Sequence, residues 1–170
     1  MTPSIKKAVE KFYEIRNIPY HIALNDQEEN WECETKNRRL EGELRALGYE
    51  TRERIGLFRW SEQNIPEEIK KLAENEDESS HTFIEIIPQD GGEWIPVDCT
   101  WNPELKKAGF PIAEWNGKGR TDIALKCYEV LPVGKNEEYL SDIDFDEDLK
   151  INYKLYEAFN KYCDSFLKKE

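Results

Sequence analysis

The chain has 170 residues, a length that suits one domain with a substantial core. Its formal net charge is -12, because it contains 36 Asp and Glu residues and only 24 Lys and Arg residues. Such a chain repels phosphate backbones and anionic lipid, so we expect neither nucleic acid nor a membrane as a partner. No apolar run approaches the roughly 20 residues of a membrane span, and the N-terminal segment lacks the apolar core of a secretory signal. We therefore expect a cytoplasmic protein.

The cysteines are widely spaced along the chain. Cys33, Cys99, Cys127 and Cys163 form no CxxC pair, and the sequence contains only two histidines. This pattern favours neither a zinc site nor a dense disulfide framework. We expect reduced thiols, no metal and no cofactor.

The N-terminal part is predicted to form a helix over residues 3–16, with Thr2 as its cap and a proline in its first turn. Residues 18–24 are predicted to be extended, partly because they contain a residue that precedes proline. His21 lies in this segment, and we interpret it as an ordinary surface or strand histidine.

A second helix is predicted between Asn30, a good N-cap, and Gly48, which suits the left-handed position after a helix end. Cys33 would be its third residue, on the same face as Leu40 and Leu44. Unpaired N–H groups at a helix N-terminus favour a thiolate, whereas the glutamates beside the cysteine oppose it. Taken alone, a cysteine on an apolar helix face is usually a small buried hydrophobic residue.

The middle of the chain is rich in strand signals. Residues 51–60 predict one strand, and a short helix near Pro66 followed by an acidic run predicts a surface excursion. Residues 81–87 and 94–101 predict a hairpin, and Asp90-Gly91 between them is typical of a tight turn.

The hairpin register places two polar residues close together. With Asp90 and Gly91 as the central turn residues, the numbers of paired residues add up to 181. His81 then lies opposite Thr100 and has Asp98 as its diagonal neighbour on the same face, at roughly 7 Å or less. Pro96 favours an edge position for the second strand.

The C-terminal third begins with a loop from Asn102, followed by a predicted strand over residues 123–132 and an acidic connector. A final helix is predicted over residues 146–168, which either covers the sheet or forms a dimer contact. Its apolar side consists of Ile151, Leu155, Phe159, Tyr162 and Phe166.

Cys33, His81 and Asp98 together supply the parts of cysteine-based acyl transfer. A histidine takes the thiol proton and later protonates the leaving group, and an aspartate orients the imidazole and stabilises its charged form. Each residue has a common structural interpretation when taken singly. Their occurrence in this order, with His81 and Asp98 on one hairpin, favours a catalytic triad.

Three segments carry a resemblance to a known family: ECETKNRRLEGELRALGYETRERIG, SSHTFIEI and GGEWIPVDCTWNP. Over roughly residues 18–101, and more weakly to 132, the chain resembles the transglutaminase-like superfamily of papain-type cysteine enzymes. That superfamily usually shows a cysteine before a helix ending in ALG, then HaWvEv, then W.pvDpT. The Thr35-Lys36 pair is similar to a poorly characterised bacterial or archaeal branch.

The resemblance implies an α+β papain-like core, about residues 18–132 of a single domain spanning 1–170, with flanking N- and C-terminal helices. The nucleophilic cysteine would begin a central helix packed on an antiparallel sheet. Cys33, His81 and Asp98 match the nucleophile, base and orienting acid, and we predict that Trp31 and Trp101 contact the substrate. Two departures are Trp31-Glu32, where glycine often precedes the cysteine, and Cys99 in place of proline.

Two functions remain open at this stage. The first is a transglutaminase-like protease, amidase or acyltransferase that forms a Cys33 thioester with a protein, a peptide or a small amide. The second is a noncatalytic module that binds a protein partner on the same scaffold. Fold likeness names neither the acyl donor nor the acceptor, and the oligomeric state stays open.

Overall fold

The computed structural model describes residues 3–73 and 76–167. Within these residues the chain forms five α-helices, one four-stranded sheet and short 3-10 turns, which confirms the predicted α+β class. In chain order the helices and strands are α1 (Pro3–Arg16), α2 (Cys33–Ala46), β1 (Glu50–Arg59), α3 (Glu67–Lys70), β2 (Glu78–Ile87), β3 (Ile95–Val97), β4 (Cys127–Val130), α4 (Asn136–Ser141) and α5 (Phe145–Asp164).

The sheet is antiparallel throughout, with the strand order β3-β2-β1-β4. Its centre is the ladder between β1 and β2, which runs without interruption from Glu50 opposite Ile87 to Arg59 opposite Glu78. Helix α2 packs on these two central strands, and α1 packs on α2. The sheet and α2 together therefore fix the start of α2 relative to the middle of β2.

The hairpin register is the predicted one. Ile84 pairs with Val97 and Ile86 with Ile95, so partner numbers add up to 181. Strand β3 lies at the sheet edge, as Pro96 predicted. The predicted turn centre is wrong, because the Gly91 N–H donates to the Pro88 carbonyl at 2.8 Å, and the turn is thus centred one residue earlier.

Helix α2 begins two residues later than its predicted cap implied. Glu32, not Asn30, is the N-cap, and its carboxylate accepts the backbone N–H groups of Glu34 and Thr35. Cys33 is consequently the first helical residue and not the third. The predicted end is confirmed by Gly48, whose φ of 89° lies in the left-handed region.

Two hydrophobic clusters flank the sheet. One joins α1, α2 and the inner face of the hairpin, and its fully buried members include Phe12, Leu40 and Ile84. Helix α1 has the predicted bounds, whereas its predicted cap Thr2 lies outside the described residues. The apolar stripe of α1 is thus explained by its packing against α2.

The second cluster is aromatic and is covered by α5. Phe159 packs against Trp60 and Phe110, with ring centroids 5.3 Å and 6.4 Å apart. The helix spans Phe145–Asp164 instead of 146–168, and Lys168 lies outside the described residues. Ile151, predicted on its apolar side, is 57% exposed.

Differences from the predicted elements are concentrated between Asn102 and α5. A 3-10 turn (Pro103–Ala108) and α4 occupy segments without a predicted element. Strand β4 is shorter than the predicted 123–132, because the Lys126 N–H and carbonyl bind the side chain of Gln63 instead of a neighbouring strand. None of the described helices is both long and apolar enough to cross a bilayer.

Candidate active site

The first component of the site is the Cys33 thiol at the start of α2. The side chain is half-buried, and its Sγ donates to Glu32 Oε2 at 3.3 Å. Both Glu32 carboxylate oxygens also accept N–H groups of the first helical turn, so the carboxylate is fixed beside the sulfur. The residue that caps the helix therefore also holds the thiol proton.

The electrostatics of Cys33 differ from the effect predicted for a helix N-terminus. Burial, and next the Glu32 charge, raise the pKa of Cys33 well above its usual range, although the Thr82 backbone N–H acts in the opposite direction. Both dominant effects disfavour the thiolate. At neutral pH the resting residue is a thiol.

The second component is the His81-Asp98 pair, which the hairpin register brings together. Both side chains are buried, and His81 Nε2 lies 2.7 Å from Asp98 Oδ2. The pair lies beyond the end of the β2-β3 ladder. If the register of the ladder is extended, His81 and Asp98 are diagonal neighbours. The structure thus joins two of the three predicted triad residues by a direct hydrogen bond.

Asp98 has several donors besides His81. Its Oδ2 also accepts the Ala124 N–H at 2.8 Å, and its Oδ1 accepts the Thr100 hydroxyl at 2.6 Å and the Thr100 N–H at 3.1 Å. Burial acts to raise the pKa of Asp98, but His81, Thr100 and Ala124 together hold it below its usual value. Asp98 is therefore an anion at neutral pH.

An ionised Asp98 fixes the tautomer of His81. Because the carboxylate only accepts, Nε2 is the protonated ring nitrogen, and Nδ1 of the neutral ring carries the free lone pair. Nδ1 is buried and has no hydrogen-bond partner. In the neutral ring this nitrogen can accept a proton.

The Cys33 and His81 side chains line one cleft of about 200 Å³. Thr82 also lines the cleft, and the aromatic lining residues include Tyr20, Trp60 and Trp101. Since Nδ1 has no partner, the thiol and the imidazole do not share a hydrogen bond in this structure. Both residues line the same cleft, and the Cys33 thiol is hydrogen-bonded to Glu32.

The two predicted substrate-contacting tryptophans have different positions. Trp101 lines the cleft, although it is 3% exposed and its Nε1 donates to the Ala124 carbonyl. Trp31 is not among the described residues that line this cleft. It forms a bridge with His21, and its Nε1 donates to Glu29 Oε2 at 3.0 Å.

Asn37 is a buried residue of the site that the sequence analysis missed. Its Nδ2 lies 3.0 Å from the Cys33 carbonyl, 3.0 Å from the Thr82 carbonyl and 3.2 Å from Asp98 Oδ1. Its Oδ1 accepts the Cys99 N–H at 3.1 Å. One side chain thus links the backbone of Cys33, the strand that carries His81, and Asp98. The available signal was an amide one turn after Cys33 on a buried helix face.

Lys36 is also fully buried, and it fastens the start of α2 to two loops. Its Nζ donates to the carbonyls of Arg16, Ile18 and Thr100 at 2.7–2.9 Å. Burial lowers the pKa of Lys36 to about 8, against the opposing charge of Asp98. These bonds hold the backbone on both sides of the site in place.

The remaining cysteines have environments typical of structural residues. Cys99 and Cys163 are buried, and burial raises the pKa of both thiols. Burial also raises the pKa of Cys127 to about 11. In the described part of the chain, no group of three or more His, Cys, Asp or Glu side chains is placed to hold a metal ion.

Comparisons with protein-family models, curated protein sequences and solved structures found no match. The transglutaminase-like resemblance thus stays a prediction from the three sequence segments.

Replacing Glu32 by Gln should remove the charge that opposes ionisation of Cys33 while keeping an oxygen for the helix cap. We expect the Cys33 pKa to fall by about one unit. Alkylation at about pH 8 should then be about threefold to tenfold faster, since nucleophilicity falls partly with pKa. Iodoacetamide labelling at several pH values, followed by mass spectrometry, measures the alkylation rate and the pKa of Cys33. Glu29→Gln, an exposed matched control, should leave both unchanged; an unaltered Cys33 pKa in Glu32→Gln contradicts the assignment.

Replacing Asn37 by Asp should place a second buried carboxylate beside Asp98. At about pH 7 we expect the free energy of unfolding to fall by about 3–5 kcal/mol. The pair would take up a proton as the pH falls, because repulsion raises its pKa above the unfolded value of about 3.9. Part of the loss should therefore be recovered at about pH 5.

Urea unfolding of Asn37→Asp and Asn37→Ala at both pH values provides the measurement. The alanine variant loses the same donors without adding a charge, so its loss of about 2–3 kcal/mol should be the same at both. Equal pH dependence in the two variants would show that Asn37 is not adjacent to an ionised Asp98.

Proposed function

We propose that this protein is a cysteine-dependent acyl-transfer enzyme, of the transglutaminase-like protease, amidase or acyltransferase type. It cleaves or exchanges an amide bond through a Cys33 thioester, with His81 as the base and Asp98 as the orienting acid. One observation carries the proposal: the buried His81-Asp98 hydrogen bond leaves His81 Nδ1 without a partner, and His81 lines the same cleft as Cys33.

A purely structural role for these residues does not explain the unpartnered Nδ1 of His81. A buried histidine that only supported the fold would be expected to bond through both ring nitrogens, because an unsatisfied buried nitrogen costs about 1–3 kcal/mol. An unpaired Nδ1 is instead what a general base requires before its substrate arrives. Functional sites commonly retain such unfavourable groups.

In the first half of the proposed reaction, the Cys33 thiol leaves Glu32 and transfers its proton to His81 Nδ1. The sulfur attacks the carbonyl carbon of the substrate amide, and the carbonyl π electrons move to the oxygen. Asp98 stabilises the imidazolium through the bond to Nε2. The backbone N–H of Cys33, one of the orphan donors of the helix start, is the candidate donor to the oxyanion.

The tetrahedral intermediate then collapses. The C–N bond breaks as the imidazolium Nδ1–H protonates the leaving amine, and the acyl group remains on Cys33 as a thioester. Water or an amine attacks the thioester carbonyl, with His81 Nδ1 taking its proton. The C–S bond breaks, the sulfur recovers the proton, and the product is an acid or a new amide.

Glu32 is the feature that favours the second candidate function, a noncatalytic protein-binding module. Its carboxylate holds the Cys33 proton and raises the pKa of the thiol. A scaffold without activity would have no need for a reactive sulfur. In the enzyme, by contrast, the thiol has to change its hydrogen-bond partner from Glu32 to His81 by rotation about the cysteine χ1 angle.

Iodoacetamide labelling near neutral pH separates the two functions. Burial and Glu32 alone would make Cys33 slower to react than an ordinary thiol, whereas assistance by His81 makes it the fastest of the four cysteines. We expect His81→Gln to slow its labelling about a hundredfold, the range of general-base assistance. Peptide mapping by mass spectrometry assigns the label to each cysteine.

His21→Gln is the matched control, since it replaces the other histidine and should leave the labelling rate unchanged. Circular dichroism of each variant checks that it is folded. Equal, slow labelling of all four cysteines, or no effect of His81→Gln in a folded protein, would contradict the enzyme assignment. Release of amine from peptide, glutamine and ester substrates then distinguishes hydrolysis from transfer.

A further inference from the structure

A second cavity of about 290 Å³ adjoins the Cys33 cleft. The two share Ser79, Ser80, Phe145 and Asp148 as wall residues, so they are adjacent, and we call them together the groove. We call the second cavity the acidic arm. It lies between the start of β2 and the segment that joins α4 to α5.

The acidic arm carries a strong negative charge. Half of its twelve lining residues are acidic, and no lysine or arginine occurs among its described lining residues. The acidic residues are Glu76, Glu78, Asp142, Asp144, Glu147 and Asp148. Acidic residues are 36 of 170 in the whole chain, so this density exceeds the overall composition.

Most of this charge is not neutralised by neighbouring cations. Within the described residues, ion pairs involve only two of the six acids, Glu78 with Arg59 at 3.3 Å and Glu147 with Lys150 at 3.9 Å. Asp148, at the junction with the cleft, accepts from the neutral Asn152 amide and Tyr156 hydroxyl. Glu32 and Glu34 add further negative charge in the cleft itself.

Apolar surface accompanies the charge. Phe145 is 55% exposed and Ile151 is 57% exposed, and both line the arm together with Tyr139. Lysine and arginine have aliphatic stems that pack on such surface while the charged end reaches a carboxylate. Aromatic rings also attract cations within about 6 Å.

The groove also contains an independent sign of a ligand. His81 is fully buried, and its Nδ1 has no partner although the residue lines the Cys33 cleft beside the acidic arm. A substrate reacting at Cys33 would therefore occupy the cleft, and a chain extending from it along the groove would enter the acidic arm. Clefts of one charge sign concentrate ligands of the opposite sign.

We propose that the acidic arm binds a lysine or arginine side chain of a peptide substrate, close in sequence to the acyl group that reacts with Cys33. This inference rests on the proposed acyl-transfer function, because it places the reacting group of the same peptide in the cleft. It names the substrate class as cationic peptides.

Binding to a Cys33→Ala variant tests the arm independently of the chemistry. The probes are fluorescent, alanine-based heptapeptides with a central glutamine, and with Lys, norleucine or Glu scanned through the other positions. At one or two positions we expect Lys to bind about tenfold more tightly than its neutral isostere norleucine, and Glu to bind more weakly. Raising the salt from about 0.05 M to about 0.5 M should reduce this preference, because it screens exposed charges.

A charge-neutral variant locates the preference. Asp142→Asn with Asp144→Asn removes two charges of the arm, and asparagine keeps the capping ability of residue 144. The Lys-to-norleucine affinity ratio should fall about threefold or more in this variant. Asp90→Asn with Glu93→Gln, an equal change of charge on the exposed β2-β3 connector, should leave the ratio unchanged.

Different results contradict the cationic-peptide proposal and the acyl-transfer proposal. Equal affinity for the Lys and norleucine peptides at every position, or an equal loss of preference in the control variant, overturns the cationic-peptide assignment whatever Cys33 does. Unreactive Cys33 in the labelling experiment overturns acyl transfer even if the lysine preference is found.

Discussion

The buried charge of Asp98 is the constraint on which the rest of the site depends. An isolated carboxylate in a protein interior is strongly unfavourable, so it has to be surrounded by donors. Donors come from β2, from the chain after β3, from α2 and from the loop before β4. Each of these segments is thereby held at one point. The arrangement of these segments around the site thus follows from the hydrogen bonds that the Asp98 carboxylate requires.

Helix α2 is the other fixed element. It rests on the two central strands through Leu40 and Leu44, while Lys36 and Asn37 bond to loop and strand backbone. The apolar residues pack the helix on the sheet, and the hydrogen bonds of the two polar residues fix the position of the helix start. Because Asn37 bonds to the Cys33 carbonyl and to Asp98, a displacement of the helix start would break contacts of Asp98. Cys33, Asp98 and His81 are consequently part of one hydrogen-bonded unit.

Much of this could be predicted from the sequence, because it depends on periodicity. The hairpin register was predicted from a turn centred on Asp90-Gly91; the turn lies one residue earlier, but the strands keep that register, which predicts the His81-Asp98 contact. Details that depend on tertiary competition could not be predicted. Glu32 replaces Asn30 as the cap, and Gln63 takes the backbone groups that would have lengthened β4. The role of Asn37 could not be deduced either, since the one sequence signal, an amide one turn after Cys33, does not name its hydrogen-bond partners.

The central claim is that Asp98 fixes the His81 tautomer, with the proton on Nε2 and no partner on Nδ1. Long-range proton-nitrogen NMR correlation of the imidazole rings tests it directly, since the chain has only two histidines. For the neutral ring, the expected result is a proton on Nε2 and an unprotonated Nδ1 at His81. A proton on Nδ1 with a bare Nε2 would contradict it.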